Sequence, residues 1–235
     1  MTSQLRLAVH SFPGERPVLL VHGFTSSAQI DWIEPGWPQA LAAQGRGTVA
    51  VDLPGHGSCP AADRDAISVS AIIAGLVAAI DSTGQDEADV VGYSLGARLA
   101  WPLAATGRVG RLVLEGLGTN DAWLADMDID LLRAVAKGEA EAPDPDLAEF
   151  AAWISQPHLD RDQMLLLMEA LAAEPFDASA DPPTVPTLFV SGTEDDPVDQ
   201  LAATLPNAKY LPVPGDHRGA LMSAEFRAAA LDFLH

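Results

Sequence analysis

Short runs of branched apolar residues, each stopped by a turn, constrain this chain more than any other feature. Val18-Leu19-Leu20-Val21 stops at His22-Gly23, residues 48–51 at Asp52-Leu53-Pro54-Gly55, residues 89–91 at Gly92, residues 112–114 near Gly116, and residues 188–190 at Ser191-Gly192. Runs of this length without polar alternation read as strands buried on both faces, as in a parallel sheet. Helix-length segments lie between them at residues 37–43, 68–81 and 95–105, the second opening on a serine. The βαβα order predicts an α/β fold, with a mostly parallel central sheet and helices on both faces. In such sheets ligands bind beyond the carboxyl ends of the strands. With 235 residues, 48% of them apolar, the chain has material for one compact domain.

Residues 119–185 break the rhythm. They hold helical patches at 130–137, 146–154 and 161–173, joints at Pro143, Pro145, Pro157, Pro182, Pro183 and Pro186, and no good strand. The expectation is a helical cap inserted into a core of residues 1–118 and 186–235. Fifteen acidic residues against Arg133, Lys137 and Arg161 give the cap a net charge of −12, out of −20 for the whole chain. That sign excludes nucleic acid and anionic membranes as partners. Cys59 is the only cysteine, so an internal disulfide and a cysteine-based zinc framework are excluded. No run of about 18 apolar residues and no basic, apolar leader occurs, and the expected location is cytoplasmic.

Gly92-Tyr93-Ser94-Leu95-Gly96 matches G-x-S-x-G and falls between a strand and a helix, where that pattern forms a tight elbow. The turn imposes a strained backbone on the serine, and a Cβ at either glycine is expected to strike the neighbouring chain. A hydroxyl is a poor nucleophile without a base, so Ser94 demands a histidine steadied by a carboxylate. His217, in Pro214-Gly215-Asp216-His217, follows the strand-like residues 209–213. His22 and His56 precede the serine and read as loop architecture, while His10, His158 and His235 lie at the N-terminus, in the cap and at the last residue. For the acid, Asp195 in Gly192-Thr193-Glu194-Asp195-Asp196 is the choice. Asp196, Glu194 and, after the preceding strand, Glu115 and Asp121 are the alternatives. Oxyanion donors are expected from the backbone amides of Phe24 and Leu95. No metal or organic cofactor is implied.

His22-Gly23-Phe24, residues 52–58, Gly92 to Gly96, Gly192 to Asp195 and Gly215 to His217, in this order, resemble the α/β-hydrolase superfamily. The resemblance spans Val18 to Leu234 and implies a Ser/Asp/His triad and a helical cap after the sixth strand of the family's eight. Only residues 5–9 precede the first motif strand, so the expectation is a sheet lacking one or both edge strands.

The substrate reading is an uncharged small or medium ester, because a carboxylate substrate would meet the acidic cap. Trp123, Met127, Phe150, Trp153, Phe176 and Phe24 are candidates for an apolar acyl pocket, ordinary core being the alternative for each. Tyr93 and Arg98, flanking the nucleophile, are further candidate contacts. With residues 52–57 they are also similar to the 2-succinyl-6-hydroxy-2,4-cyclohexadiene-1-carboxylate synthases. These lyases eliminate pyruvate from a multiply anionic substrate held by arginines, and the resemblance implies that Arg98 is one of them. Carbon–carbon bond hydrolysis and a non-catalytic binding protein on the same fold are the other readings.

Overall fold

The computed structural model describes residues 5–235. The chain opens with strand β1 (Ala8–Phe12) and strand β2 (Glu15–Val21), then a single π-helical turn (Gln29–Ile33), helix α1 (Trp37–Ala42) and strand β3 (Arg46–Asp52). Helix α2 (Val69–Asp81), strand β4 (Ala88–Tyr93), helix α3 (Leu95–Ala104) and strand β5 (Val109–Glu115) follow. Four helices lie between β5 and the next strand: α4 (Ala122–Ala125), α5 (Ile129–Ala136), α6 (Pro145–Ile154) and α7 (Arg161–Ala173). The chain closes with β6 (Thr187–Gly192), α8 (Asp199–Thr204), β7 (Ala208–Val213), α9 (His217–Met222) and α10 (Ala224–Leu234).

The seven strands form one sheet in the order β1-β3-β2-β4-β5-β6-β7, parallel except for the antiparallel pairing of β1 with β3. Among the described residues the sheet thus has seven strands, against the eight that the resemblance implies. The first strand also starts later than residues 5–9 suggested, because its partners run from Ala8 opposite Asp52 to Phe12 opposite Thr48.

Side chains alternate across the sheet, so each strand feeds two cores. Val18, Leu20, Ala50, Val91, Val113 and Val190 face α1, α9 and α10, where Trp37 packs edge-on to Trp32 at 5.2 Å and against Phe226 at 5.3 Å. Leu19, Val21, Val49, Val51, Val90, Leu112, Leu114 and Phe189 face α2 and α3. Leu132, Leu147, Met164, Leu167 and Leu171 of the helices after β5 belong to that second cluster. Those helices therefore pack onto the main core.

Much of the acidity of residues 119–185 is explained by helix ends. Asp128, Asp144 and Asp160 cap α5, α6 and α7, each accepting the amide of the residue three positions on, and Asp130, Asp146 and Asp162 follow in the first turns. Carboxylates there satisfy orphan amides and meet the positive end of the helix dipole. No described helix is long and apolar enough to cross a membrane.

Candidate active site

A single residue, Ser94, turns the chain from β4 into α3. Ser94 sits at φ 52°, ψ −113°, a conformation costly for any residue with a Cβ. The two glycines are required by close packing: a Cβ on Gly92 would collide with the Gly96 carbonyl, and one on Gly96 with the carbonyls of Val21 and His22. The turn is held by the Ser94 amide, which donates to the Glu115 carbonyl at 2.9 Å.

Register brings the other candidates to the same edge, since Gly92 lies opposite Leu114, Glu115 opposite Val190, and Gly192 opposite Val213. His217 is the first residue of α9, whose N-terminus is capped by Asp216. Its Nδ1–H donates to Asp195 Oδ2 at 2.6 Å, which leaves the Nε2 lone pair to accept the Ser94 hydroxyl at 2.9 Å. Asp196 and Glu194 are exposed, and the Asp196 amide instead donates to Asp195 Oδ1 at 3.0 Å. Asp121 is occupied elsewhere, with Arg98 and the Phe176 amide.

Two histidines that read as architecture are architecture. His22 donates from Nδ1 to the Gly23 carbonyl and accepts the Leu53 amide, while His56 donates to the Pro54 carbonyl and accepts the Thr25 amide at 3.0 Å. Burial keeps both neutral by pushing their pKa values down, His56 to about 3. Asp52, whose carboxylate is stabilised by amide and hydroxyl donors, accepts the Ala28 amide, so three side chains pin the loop carrying Phe24 to the turn after β3. Thr25 is held at φ 59° within it, and His158 Nε2 donates to its carbonyl at 3.1 Å.

Above Ser94 lies a cavity of about 670 Å³. Phe24, Leu95, Tyr93, Arg98, Trp123 and Trp153 all line it, as do Phe150 and Phe176. At the first position of α3 the Leu95 amide is one of the donors that helix geometry leaves without an intrahelical partner. Met127 is a correction: it packs partly buried against the core cluster and does not line the cavity. Phe150 lies between Trp123 and Trp153, tilted to the first with ring centroids 5.3 Å apart and edge-on to the second at 5.0 Å, and the two tryptophans are 51% and 40% exposed.

Charge is arranged differently from the expectation drawn from composition. Of the acids in residues 119–185 only Asp121 lines the cavity, where it pairs with Arg98 at 2.5 Å. The others do not line it: Asp128, Asp144 and Asp160 cap helices, and Glu169 is held by Arg64 and Arg133. Arg98, buried, also donates to the Glu174 carbonyl at 2.6 Å. Arg133 pairs with Glu169 and Asp130, and Arg161 donates to the Ala136 carbonyl.

Four residues escaped the sequence reading in whole or part. Gly116 at φ +64° lies against the imidazole, and an added Cβ would stand 2.6 Å from His217 Cε1. Asp31, fully buried, accepts the Gly23 amide, the Ser26 hydroxyl and Arg218 Nη1. Arg218, the residue after His217, also lines the cavity. Glu115, weighed only as a triad acid, is fully buried with both carboxyl oxygens unpartnered; burial first, then the charges of Asp195 and Asp31, raise its pKa to about 9. Position at the end of a strand-like run was the signal available for Glu115 and Gly116, and position after His217 the signal for Arg218; Asp31 carried none.

Comparison with known proteins agrees with the geometry. The model of the alpha/beta hydrolase family matches residues 18–230. A 2-succinyl-6-hydroxy-2,4-cyclohexadiene-1-carboxylate synthase of Klebsiella pneumoniae is 33% identical over 150 residues, 60% of this chain and 54% of that protein, so the match spans about half of the relative. A thermophilic esterase from Thermogutta terrifontis superposes with TM-score 0.75 at 19% identity, over 97% of this chain and 92% of that one. A putative non-heme bromoperoxidase from Mycobacterium tuberculosis superposes with TM-score 0.74 at 19% identity, over 99% and 96%. At such identities the two structures share the fold, which hosts more than one chemistry. Because the family match runs from the first core strand into the last helix, across the elbow at Ser94, this chain belongs to the alpha/beta hydrolase family.

Proposed function

We propose that this protein is a serine carboxylesterase that cleaves small or medium uncharged esters through an acyl-enzyme. The observation that carries the reading is the chain of contacts Ser94 Oγ to His217 Nε2, 2.9 Å, and His217 Nδ1 to Asp195 Oδ2, 2.6 Å, opening on an apolar cavity. His217 takes the Ser94 proton as Oγ bonds to the carbonyl carbon, and the amides of Phe24 and Leu95 receive the oxyanion. The proton then passes to the departing alcohol as its C–O bond breaks. Water repeats the cycle, releasing the acid and restoring Ser94. Residues 119–185 serve as the cap, with Trp123 and Trp153 at its apolar wall.

A neutral substrate is favoured by pairing. Arg98 with Asp121 and Arg218 with Asp31 are each already matched, so a substrate carboxylate would have to compete for its cation. Hydrolysis of p-nitrophenyl esters of increasing acyl length, with Ser94→Ala alongside, tests the reading: turnover is expected in the parent and absent in the variant.

The identity with the Klebsiella synthase favours a second reading, a lyase that eliminates pyruvate. The bonds of Arg98 to Asp121 and the Glu174 carbonyl oppose it, since they commit the arginine that this chemistry would need. Absence of ester turnover from folded protein, together with pyruvate release from the lyase's substrate, would establish the second reading.

A further inference from the structure

The two halves of the proposed machinery come from opposite ends of the chain. The base is carried by α9, and one oxyanion amide by the loop after β2. One ion pair bridges them: Arg218, the residue after the base, reaches Asp31 with Nη1 at 2.5 Å. Asp31 is 0% exposed, and its other acceptor contacts are the Gly23 amide at 3.0 Å and the Ser26 hydroxyl at 2.5 Å, on either side of Phe24 and Thr25. A carboxylate this deep is tolerable only when paired, so the donors on the loop and the arginine on α9 share one buried anchor. The same guanidinium lies 5.9 Å from the centre of the Tyr93 ring, and that ring packs 5.2 Å from the imidazole of His217. Nucleophile strand, base and oxyanion loop thus meet on one side chain.

The loop needs such an anchor. Thr25 is β-branched and held at φ 59°, a conformation that persists only where surrounding contacts outweigh its cost. Without Arg218, Asp31 would be a buried anion with only the Gly23 amide and Ser26 hydroxyl as donors, and it gains relief by taking up a proton or by movement of the segment from Gly23 to Ser26, either of which loosens the hold on the Phe24 amide.

We propose that Arg218 is a positioning residue which, through Asp31, fixes the Phe24 amide relative to Ser94 and His217 for oxyanion stabilisation, an inference that rests on Ser94 as the nucleophile. A misplaced oxyanion donor costs about 10²-fold or more in rate when lost outright, so partial misplacement is expected to cost about 10- to 100-fold.

The test compares parent, Ser94→Ala, Arg218→Ala, Arg218→Lys and Asp31→Asn. Two readouts are used: kcat and KM for a neutral p-nitrophenyl ester, and the rate of labelling by an alkyl fluorophosphonate. In the labelling step the Ser94 oxygen bonds to phosphorus, fluoride leaves, and His217 takes the proton. Arg218→Ala is expected to lower kcat and labelling by that factor with KM within about twofold. Exogenous guanidinium is expected to restore part of the loss, and Arg218→Lys to be intermediate. Adding Asp31→Asn to Arg218→Ala is expected to cost little more, because both remove one link. A raised KM with unchanged kcat would overturn the proposal in favour of direct substrate contact. A loss that follows the melting temperature in both Arg218 variants, with no guanidinium rescue, would reduce the arginine to a structural tie. Labelling that persists in Ser94→Ala would overturn the nucleophile reading itself. Labelling lost in Ser94→Ala but unchanged in Arg218→Ala would overturn the positioning role alone.

Discussion

Glu115, at the end of β5, lies opposite Val190 of β6, the strand that leads to Asp195; Glu115 is buried without a hydrogen-bond partner, whereas Asp195 is hydrogen-bonded to His217. Burial first, and then the negative charges of Asp195 and Asp31, hold the proton on Glu115. The two carboxyls thus sit in different environments, one hydrogen-bonded to the imidazole and one buried without a donor.

That division has a stability signature. The Glu115 pKa is raised from 4.5 to about 9 on folding, so the native state loses stability as pH rises from 4.5 toward 9, where the unfolded chain ionises and the folded one does not. Glu115→Gln removes the penalty. Urea unfolding of the two proteins is expected to converge near pH 5 and diverge by about 2–3 kcal/mol in favour of the variant near pH 7. A difference independent of pH would show that Glu115 is ionised in the fold.

His22 and His56 titrate in the opposite sense. Both are held neutral with lowered pKa values, so the unfolded chain takes up protons first as pH falls below 6.5 and stability declines from there, for His56 down to about pH 3. The expected slope is about 1.4 kcal/mol per pH unit for each histidine. His56→Gln should flatten the decline between pH 6.5 and 4, read from the melting temperature at each pH.

The triad assignment separates adjacent acids. Asp195→Asn should lower kcat by about 10⁴ while the protein stays folded, because the amide presents the wrong hydrogen-bonding partner to Nδ1. Asp196→Asn, exposed and bonded only through its amide, should change kcat less than threefold, about 0.7 kcal/mol at most.

Gly116→Ala tests the support behind the base. The added methyl would meet His217 Cε1 and the residue would be strained at φ +64°, so the imidazole must shift from Ser94. Displacements of about 1 Å can cost 10²-fold, and a kcat loss of that order is expected with KM nearly unchanged.

The tryptophans on either side of Phe150 bear on binding. Trp153→Ala should raise KM for long-chain or aryl esters by about tenfold and leave acetate esters within about twofold, since a short acyl group does not reach the aromatic wall.

Local chemistry was enough for a large part of this molecule. The buried runs at Val18–Val21 and Leu188–Val190, the serine cap of α2 and the elbow glycines each act within a few residues of themselves, so sequence alone predicts the α/β class, the helical insertion and Ser94, and ranks His217 and Asp195 first among their rivals. The three Asp-x-Asp starts of α5, α6 and α7 were equally legible as helix caps, yet a net charge averages over direction and hid them. Everything that depends on which way a side chain faces was left to the tertiary structure. Only there do the other acids stay off the cavity wall, Arg98 find Asp121, Glu115 lose its partners, and Arg218 reach Asp31 across 187 positions of sequence. Such pairings are set by sheet register and by which groups burial deprives of water, and neither is a property of any segment taken by itself.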